Sequence, residues 1–200
     1  MGRRNKSSER RGQILKAAAA LFIKRGYINT SVRDIAVRCK INVATLYHYI
    51  GSKENILSLF QEYTTSLIKS TLEQHREIIN GMDPVEALVY VIRKYLEWVD
   101  EYQDITVFWY QESKNLTPQQ MKNLTAQEEY TVQMFVELLE GGIRQGVFKV
   151  VNPKLTAHNI VVLCDMWAFR RWLIKKQFTF EDYVRDQTKL ILAQLSVHDI

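Results

Sequence analysis

The sequence predicts an all-α protein of about nine helices. Apolar residues recur at spacings of three and four through nearly the whole chain, and helix-capping residues precede these segments. No segment shows the alternation of apolar and polar residues that is typical of a half-buried strand. Gly and Pro are scarce, with 8 and 3 among 200 residues, and 46% of the residues are hydrophobic, so the chain can bury a substantial core.

The first four helices form the N-terminal part of the chain. The first is predicted over about residues 8–25, and a long fourth helix over about residues 53–79. Between them lie two short helices. Ser31, with Asp34 three positions later, forms a capping box at the start of the second helix, and Asn42 caps the third.

The later helices begin at clear capping signals. Asp83-Pro84, Thr117-Pro118 and Asn152-Pro153 each place a capping residue before a proline, which is favoured in the first turn of a helix. Thr179 and Asp182 form a further capping box. The predicted helices are residues 84–101, 103–114, 118–145, 153–176 and 180–196.

The second and third helices read as a helix-turn-helix unit, which indicates DNA as a partner. Leu46 and Ile50 point inward on the third helix, and small, hydroxyl and aromatic side chains remain on its outer face. Such a face can approach base edges in the major groove, while a lysine at the start of the fourth helix can meet a phosphate. The expected DNA-contacting residues are Thr30, Ser31, Arg33, Asn42, Val43, Ala44, Thr45, Tyr47, His48 and Lys53.

Charge divides the chain near residue 55. Residues 1–55 carry 12 Lys and Arg against 3 Asp and Glu, and the remainder carries 15 against 19. A basic head on a neutral-to-acidic body is typical of nucleic-acid binding. We therefore predict a DNA-binding domain over residues 1–55. Residues 56–200 form a second helical domain, which is the expected place for effector binding and dimerisation because a DNA-binding head needs a control input. Residues 2–11 contain no apolar side chain and are expected to be disordered, either as an arm on the DNA or as a solvated tail.

Several other classes of protein fit the sequence poorly. Cys39 and Cys164 lie in different predicted domains, so a disulfide is not expected and a reducing cytoplasm fits. No apolar run approaches the roughly 18 residues of a membrane span, and no signal peptide is visible. The histidines and cysteines lack the spacing of a metal site, and no phosphate-binding loop appears. We expect no metal, no cofactor and no enzymatic activity.

Residues 10–60 resemble the DNA-binding half of TetR-family transcriptional regulators. The most recognisable family signature is of the type Thr-Leu-Tyr-His-Tyr-Phe-Gly-Ser-Lys-Glu, and residues 45–54 here read Thr-Leu-Tyr-His-Tyr-Ile-Gly-Ser-Lys-Glu. Ile50 replaces the usual Phe, and Lys40 stands in the turn where the family usually has Gly. If the backbone at Lys40 has a positive φ, lysine costs roughly 1 kcal/mol that glycine would not.

The resemblance implies a homodimer on a pseudo-palindromic double-stranded operator, with the dimer made by the last two helices. Their apolar faces are then the expected interface, although they serve equally well as intramolecular core. The expected interface residues are Ile160, Leu163, Cys164, Leu190, Ile191 and Leu195.

The body contains two aromatic clusters, residues 107–112 and 167–172, which either line an apolar effector pocket or fill a core. Arg170 and Arg171 beside the second cluster suit an effector with an apolar tail and an anionic head. Residues 140–148 and 166–172 are also similar to family members that respond to acyl-coenzyme A (acyl-CoA) thioesters. The expected effector-binding residues are Trp98, Phe108, Trp109, Glu112, Met134, Trp167, Arg170 and Arg171.

The sequence therefore predicts a ligand-responsive transcriptional regulator, most simply a repressor that a small effector releases from its operator. The effector is an acyl-CoA thioester or another apolar or aromatic molecule. An effector-independent architectural DNA-binding protein and a helical-bundle enzyme are the alternatives, and the large tryptophan-rich body argues against the first of these.

Overall fold

The computed structural model describes residues 2–195, and it describes the side chains of all of these except residues 2–9, 67, 71 and 72. This part of the chain forms eleven α-helices and one 3-10 turn, Ser113–Asn115, and it contains no strand, so the all-α prediction is confirmed. The helices are α1 Gly2–Arg25, α2 Val32–Arg38, α3 Val43–Ile50, α4 Lys53–Gln74, α5 Arg76–Ile79, α6 Pro84–Glu101, α7 Gln103–Glu112, α8 Pro118–Arg144, α9 Pro153–Phe169, α10 Arg171–Ile174 and α11 Phe180–Leu195.

Most helix starts agree with the capping signals, and most differences concern helix ends. The helix predicted over 53–79 is interrupted at His75, and the helix predicted over 153–176 is interrupted at Arg170, whose backbone (φ −113°, ψ 23°) is not helical. Helix α1 begins at Gly2, whereas the sequence predicted disorder over residues 2–11. Adding a residue to an existing helix gains a hydrogen bond at little nucleation cost, so a well-packed α1 can extend towards its N-terminus.

The chain divides into two compact units. The first contains Met1–Lys69 and Phe108–Asn123, and the second contains Ser70–Val107 and Leu124–Ile200. The sequence placed a single division at residue 55. In the structure the first unit extends further along α4 and also takes in a short segment from the middle of the chain.

Aromatic packing explains why residues 108–123 belong to the first unit. The Phe108 ring is stacked on Phe22 of α1 with centroids 6.0 Å apart, and it meets Phe60 of α4 edge-on at 5.5 Å. Trp109 is stacked on Phe60 at 5.4 Å, and its indole Nε1 donates to the buried hydroxyl of Thr64 at 3.2 Å. These four rings form the aromatic cluster of the first unit.

The second unit is built around α6, which packs against α9 and α11. Its core is aliphatic and aromatic, with Leu88, Ile92, Leu96 and Trp167 almost completely buried. One polar pair lies within this core, because the Tyr95 hydroxyl donates to Asp165 Oδ1 at 3.0 Å.

The turn between α2 and α3 adopts the conformation that the sequence raised as a possibility. Lys40 has φ 54°, and it is the one non-glycine residue with a positive φ among those described. Ile41 N–H donates to Ala36 O at 3.0 Å, and Lys40 N–H donates to Val37 O at 3.1 Å. This pair of bonds is the Schellman arrangement, in which the left-handed position is usually glycine.

Replacing Lys40 with Gly is therefore expected to raise the free energy of unfolding by about 0.5–1 kcal/mol, because glycine adopts this conformation without the steric cost of a Cβ atom. Urea denaturation would show a higher midpoint with an unchanged m-value. Lys40→Ala is the control, since it removes the same charge and keeps the strain. Equal stability of the two variants would contradict this account.

Candidate nucleic-acid interface

Side-chain caps fix the starts of α2 and α3, as predicted. The hydroxyl of Ser31 accepts from the Asp34 backbone N–H at 3.1 Å, and the Asp34 carboxylate accepts from both the backbone N–H and the hydroxyl of Ser31. These bonds hold the pKa of Asp34 below its usual value. Asn42 Oδ1 accepts from Thr45 N–H at 2.6 Å. The two capping residues therefore set where each short helix begins.

Helix α3 has one buried and one exposed face. Leu46 and Ile50 are buried. Ala44, Tyr47 and His48 are exposed, and the Tyr47 side chain is 44% accessible. Val43 and Thr45 are half-buried, and Asn42 is exposed. The structure agrees with the sequence that Leu46 and Ile50 face inward and that Ala44, Tyr47 and His48 face outward, whereas Val43 and Thr45 lie between the two faces.

Lys53 is held in place before any ligand binds. It is the first residue of α4, and its Nζ lies 4.4 Å from the centroid of the Tyr27 ring and 3.4 Å from the carbonyl oxygen of Ile28. Ser52 Oγ accepts from Asn55 N–H at 3.1 Å and so caps the same helix start. An ammonium group at a helix N-terminus is a suitable position for a phosphate, because the positive end of the helix dipole adds to its charge.

A shallow concave surface joins the start of α2 to the outer side of α3. Six of the residues expected to contact DNA line it, together with Ile28, Asn29 and Val32. They are Thr30, Ser31, Arg33, Val43, Tyr47 and Lys53. Residues separated by more than twenty positions are thus brought onto one surface, which we call the concave face.

Thr30 corrects one expectation. Its side chain has no accessible surface, and its hydroxyl donates to Gly26 O at 2.9 Å. That bond satisfies a carbonyl at the end of α1, so this side chain stabilises the fold and does not reach the surface. Ile28 and Asn29 are exposed at the same place and were not selected from the sequence. No local pattern distinguishes them, because they lie in an irregular connection between two helices.

Three of the residues expected at the effector site lie in the first unit. Phe108 and Trp109 belong to its aromatic cluster. The sequence left open whether these residues line an effector pocket or fill a core, and here they pack in a core. Glu112 is buried, and its two carboxylate oxygens accept from Tyr27 N–H at 3.1 Å and from Asn115 Nδ2 at 2.9 Å. These side chains are already engaged in the packing of the first unit.

The other five lie in the second unit. Trp167 is buried, and its Nε1 donates to Asp100 at 2.7 Å. Trp98 is buried against the Tyr95 ring, and its Nε1 has no hydrogen-bond partner among the described residues. Met134 lines a cleft of about 130 Å³ with Ile79, Tyr130 and neighbouring polar residues.

The two arginines differ in their surroundings. Arg171 is paired with Asp104 and lies 3.3 Å from Gln103 Oε1, while the nearby Lys175 pairs with Asp100 at 3.0 Å. Arg170 is exposed, with its guanidinium 6.0 Å from the centroid of the Trp172 ring. Binding an anion at Arg171 would disturb an existing ion pair, whereas Arg170 is accessible without this cost.

Asp165 is an unusual acid for a helical core. Burial, and to a lesser extent the neighbouring Glu128, raise its pKa to about 8 against the lowering effect of the hydrogen bond from Tyr95. The carboxyl group therefore holds its proton through most of the neutral range. A protonated acid can donate a hydrogen bond as well as accept one.

Most of the residues expected at a dimer interface are core residues of a single chain. Four of them are almost completely buried in the second unit, which corrects their assignment to an exposed interface: Ile160, Cys164, Ile191 and Leu195. Leu163 is half-buried, and Leu190 is 60% exposed. Leu155 and Val162, which were not among the expected residues, are exposed on α9. Helix α9 is apolar on several sides, so its periodicity does not reveal which side is covered.

Neither a membrane-spanning helix nor a metal-binding cluster occurs in the described residues. No described helix is long and apolar enough to cross a membrane. Likewise, the side chains described here include no group of three or more His, Cys, Asp or Glu that is arranged to hold a metal ion.

The fold and the concave face define a class of protein, and comparison with known families gives the same class. Residues 14–59 match the model of bacterial regulatory proteins of the tetR family, and residues 81–172 match a tetracyclin repressor-like C-terminal domain. The chain belongs to the TetR family of bacterial regulatory proteins. It is thus a DNA-binding transcriptional regulator and not an enzyme.

Particular relatives cover most of the chain. The transcriptional regulator HbdR of Aromatoleum sp. (strain CIB) is 31% identical over 92% of this chain and 80% of its own length. The transcriptional repressor KstR2 of Mycobacterium tuberculosis is 28% identical, with 82% of each chain covered. The structure of AibR in complex with isovaleryl coenzyme A and operator DNA matches with a TM-score of 0.77 and 25% identity, covering 90% of this chain and 97% of AibR.

Lys53→Ala is expected to weaken binding to all duplexes similarly and to reduce the slope of log affinity against log salt by about 1, because one phosphate contact is lost. Fluorescence anisotropy with a labelled duplex at several salt concentrations measures this slope. Lys176→Ala is the control, since it removes an exposed lysine of the second unit. An unchanged slope in Lys53→Ala would exclude Lys53 from the phosphate contacts.

Proposed function

We propose that this protein is a repressor that binds a pseudo-palindromic operator as a homodimer and is released by a small acyl effector. The observation that carries the DNA-binding part is the concave face, where the exposed side of α3, the start of α2 and the Lys53 ammonium share one surface. A basic first unit adds long-range attraction for DNA.

In this proposal α3 is the recognition helix. Ala44 and Thr45 are small enough to let the helix approach base edges closely, and a thymine methyl group can pack against them. Tyr47 and Lys53 contact the phosphate backbone on either side and set the register of the helix. Two such helices in a dimer read half-sites about one turn of DNA apart, which multiplies the specificity of a single short helix.

The dimer contact is proposed on the outward side of α9 together with α11. On α9 the exposed or half-buried positions recur at helical spacing, and they are Leu155, His158, Asn159, Val162 and Met166. Leu190 offers an exposed apolar side chain on α11. Exposed apolar residues at this spacing on the family's usual dimerisation helices favour a self-complementary contact.

The effector is proposed to bind within the second unit. Support comes from the buried groups around α6 and α9, because the unpaired indole N–H of Trp98 can donate to a carbonyl oxygen. The protonated Asp165 carboxyl supplies a second neutral polar group, and Arg170 supplies an accessible cation for an anionic head. The structure of AibR in complex with isovaleryl coenzyme A is a precedent for a thioester with such parts.

Release requires that the two binding events be coupled. Helices α4, α7 and α8 each contain residues of both units. A change in helix packing in the second unit can therefore be transmitted along these continuous helices to the first. An effector that binds better to a state with the recognition helices out of register would lower the affinity of the protein for its operator. By thermodynamic linkage, the operator would lower the affinity for the effector by the same factor.

The effector is tested by a gel shift with DNA flanking the gene, in the presence of isovaleryl coenzyme A and longer acyl-CoA thioesters. We expect a discrete shift that one thioester abolishes. Arg170→Ala should require about 10-fold more thioester, because a hydrogen bond to a charged group is lost, while Arg144→Ala serves as the control. A discrete shift that no thioester releases would reject this effector class and leave the DNA-binding proposal intact.

The dimer contact is tested by sedimentation velocity of the Val162→Asp variant. A charge placed in an apolar self-contact faces its own copy, so this variant is expected to sediment as a monomer at concentrations where the parent is a dimer. Val162→Ile is the control because it keeps the surface apolar. A dimeric Val162→Asp would place the interface elsewhere.

A further inference from the structure

Glu112 is a buried carboxylate whose partners are neutral. Its side chain is 8% exposed, and none of the ion pairs formed by the described residues includes it. Instead, Oε1 accepts from the Tyr27 backbone N–H at 3.1 Å and Oε2 accepts from Asn115 Nδ2 at 2.9 Å. Burying a charge is costly unless strong hydrogen bonds compensate, so the bond to Tyr27 is a significant contact across 85 positions of sequence.

The backbone at the end of α1 is shaped to admit this carboxylate. Gly26 precedes Tyr27 and has φ +79°, and a Cβ atom built on it would lie 3.1 Å from Glu112 Oε1. Both the positive φ and the close approach favour glycine at this position. The carboxylate and the turn between α1 and α2 therefore fit each other closely.

Tyr27 connects Glu112 to the proposed phosphate contact. The Lys53 ammonium lies over the Tyr27 ring at 4.4 Å and donates to the carbonyl of Ile28, the next residue, at 3.4 Å. The N–H that Glu112 accepts thus belongs to the same short segment that supplies both partners of Lys53. A shift of this segment would move both partners together.

The segment that carries Glu112 is anchored independently of it. Phe108 packs on Phe22 and Phe60, and Trp109 is hydrogen-bonded to Thr64. Loss of the Glu112 carboxylate would leave these contacts in place, so its effect on DNA binding can be separated from its effect on the fold.

We propose that Glu112 is a positioning residue for DNA binding, which acts by fixing Tyr27 and Ile28 and, through them, the Lys53 ammonium. The proposal rests on the phosphate contact of Lys53 proposed above. It predicts weaker DNA binding when the Glu112 carboxylate is removed, which is the opposite of the effect expected from charge alone. Removing a negative charge from a DNA-binding unit should otherwise raise its affinity for DNA.

The experiment compares full-length variants for binding to a random-sequence duplex across a salt series, with thermal unfolding measured in parallel. Glu112→Ala is expected to lower the salt slope by about 1, as Lys53→Ala does, and the double variant should lose no more than either single one. Glu112→Gln should keep the parental slope, because its amide oxygen still accepts from Tyr27 N–H. Thr64→Val is the matched control, since it removes the Trp109 bond, lowers the melting temperature and leaves the slope unchanged.

Each other outcome has a defined meaning. The role of Glu112 is overturned if Lys53→Ala lowers the salt slope and Glu112→Ala does not. It is also overturned if the double variant loses the sum of the two single reductions in slope. In both cases the function of Lys53 stands. If Lys53→Ala itself leaves the slope unchanged, the phosphate contact fails and the Glu112 proposal fails with it. Should Glu112→Ala not fold, Glu112→Met, which fills the same space without an acceptor, replaces it and is expected to show the same loss of slope.

Discussion

The aromatic cluster of the first unit is the contact on which its DNA-binding surface depends. Helices α2 and α3 contain 7 and 8 residues, and isolated helices shorter than about 12 residues are only marginally stable in water. Their stability must come from burial of Ile35, Leu46 and Ile50, as α2 and α3 pack against each other and against the longer helix α1. The ring of Phe22 on α1 contacts Tyr27, Phe60 and Phe108. These contacts hold in place the helix against which α2 and α3 pack.

The concave face shows a division between side chains that build the surface and side chains that remain available to a ligand. Ser31 and Asn42 are exposed, yet each is engaged in capping a helix, and Thr30 is fully engaged within the fold. Tyr47 and Arg33 are exposed on the same surface. Substitutions in the first group are expected to act on DNA binding through the geometry of the helices, and those in the second group through direct contact.

The second unit combines an apolar core with a few polar groups that are costly to bury. An unpaired indole N–H and a protonated carboxyl are unfavourable in a core whose only role is stability. In the proposed effector response, a bound ligand would satisfy these groups. Arg171, by contrast, is bound to Asp104, so a charged side chain near an aromatic cluster is not by itself evidence for an anion site.

The sequence alone determined the helical class, the helix-turn-helix unit and its exposed recognition face, because caps, turn residues and apolar spacing act over a few neighbouring positions. The positive φ of Lys40 agrees with the family resemblance, in which glycine usually occupies this position of the turn. Only the tertiary structure decided which apolar residues are covered, as Ile160 and Val162 show: they lie two positions apart on α9, and one is buried while the other is exposed. It also decided the contacts of Glu112, which bonds to a backbone group 85 positions away. Burial and long-range hydrogen bonds depend on which helices pack together, and no local pattern contains that information.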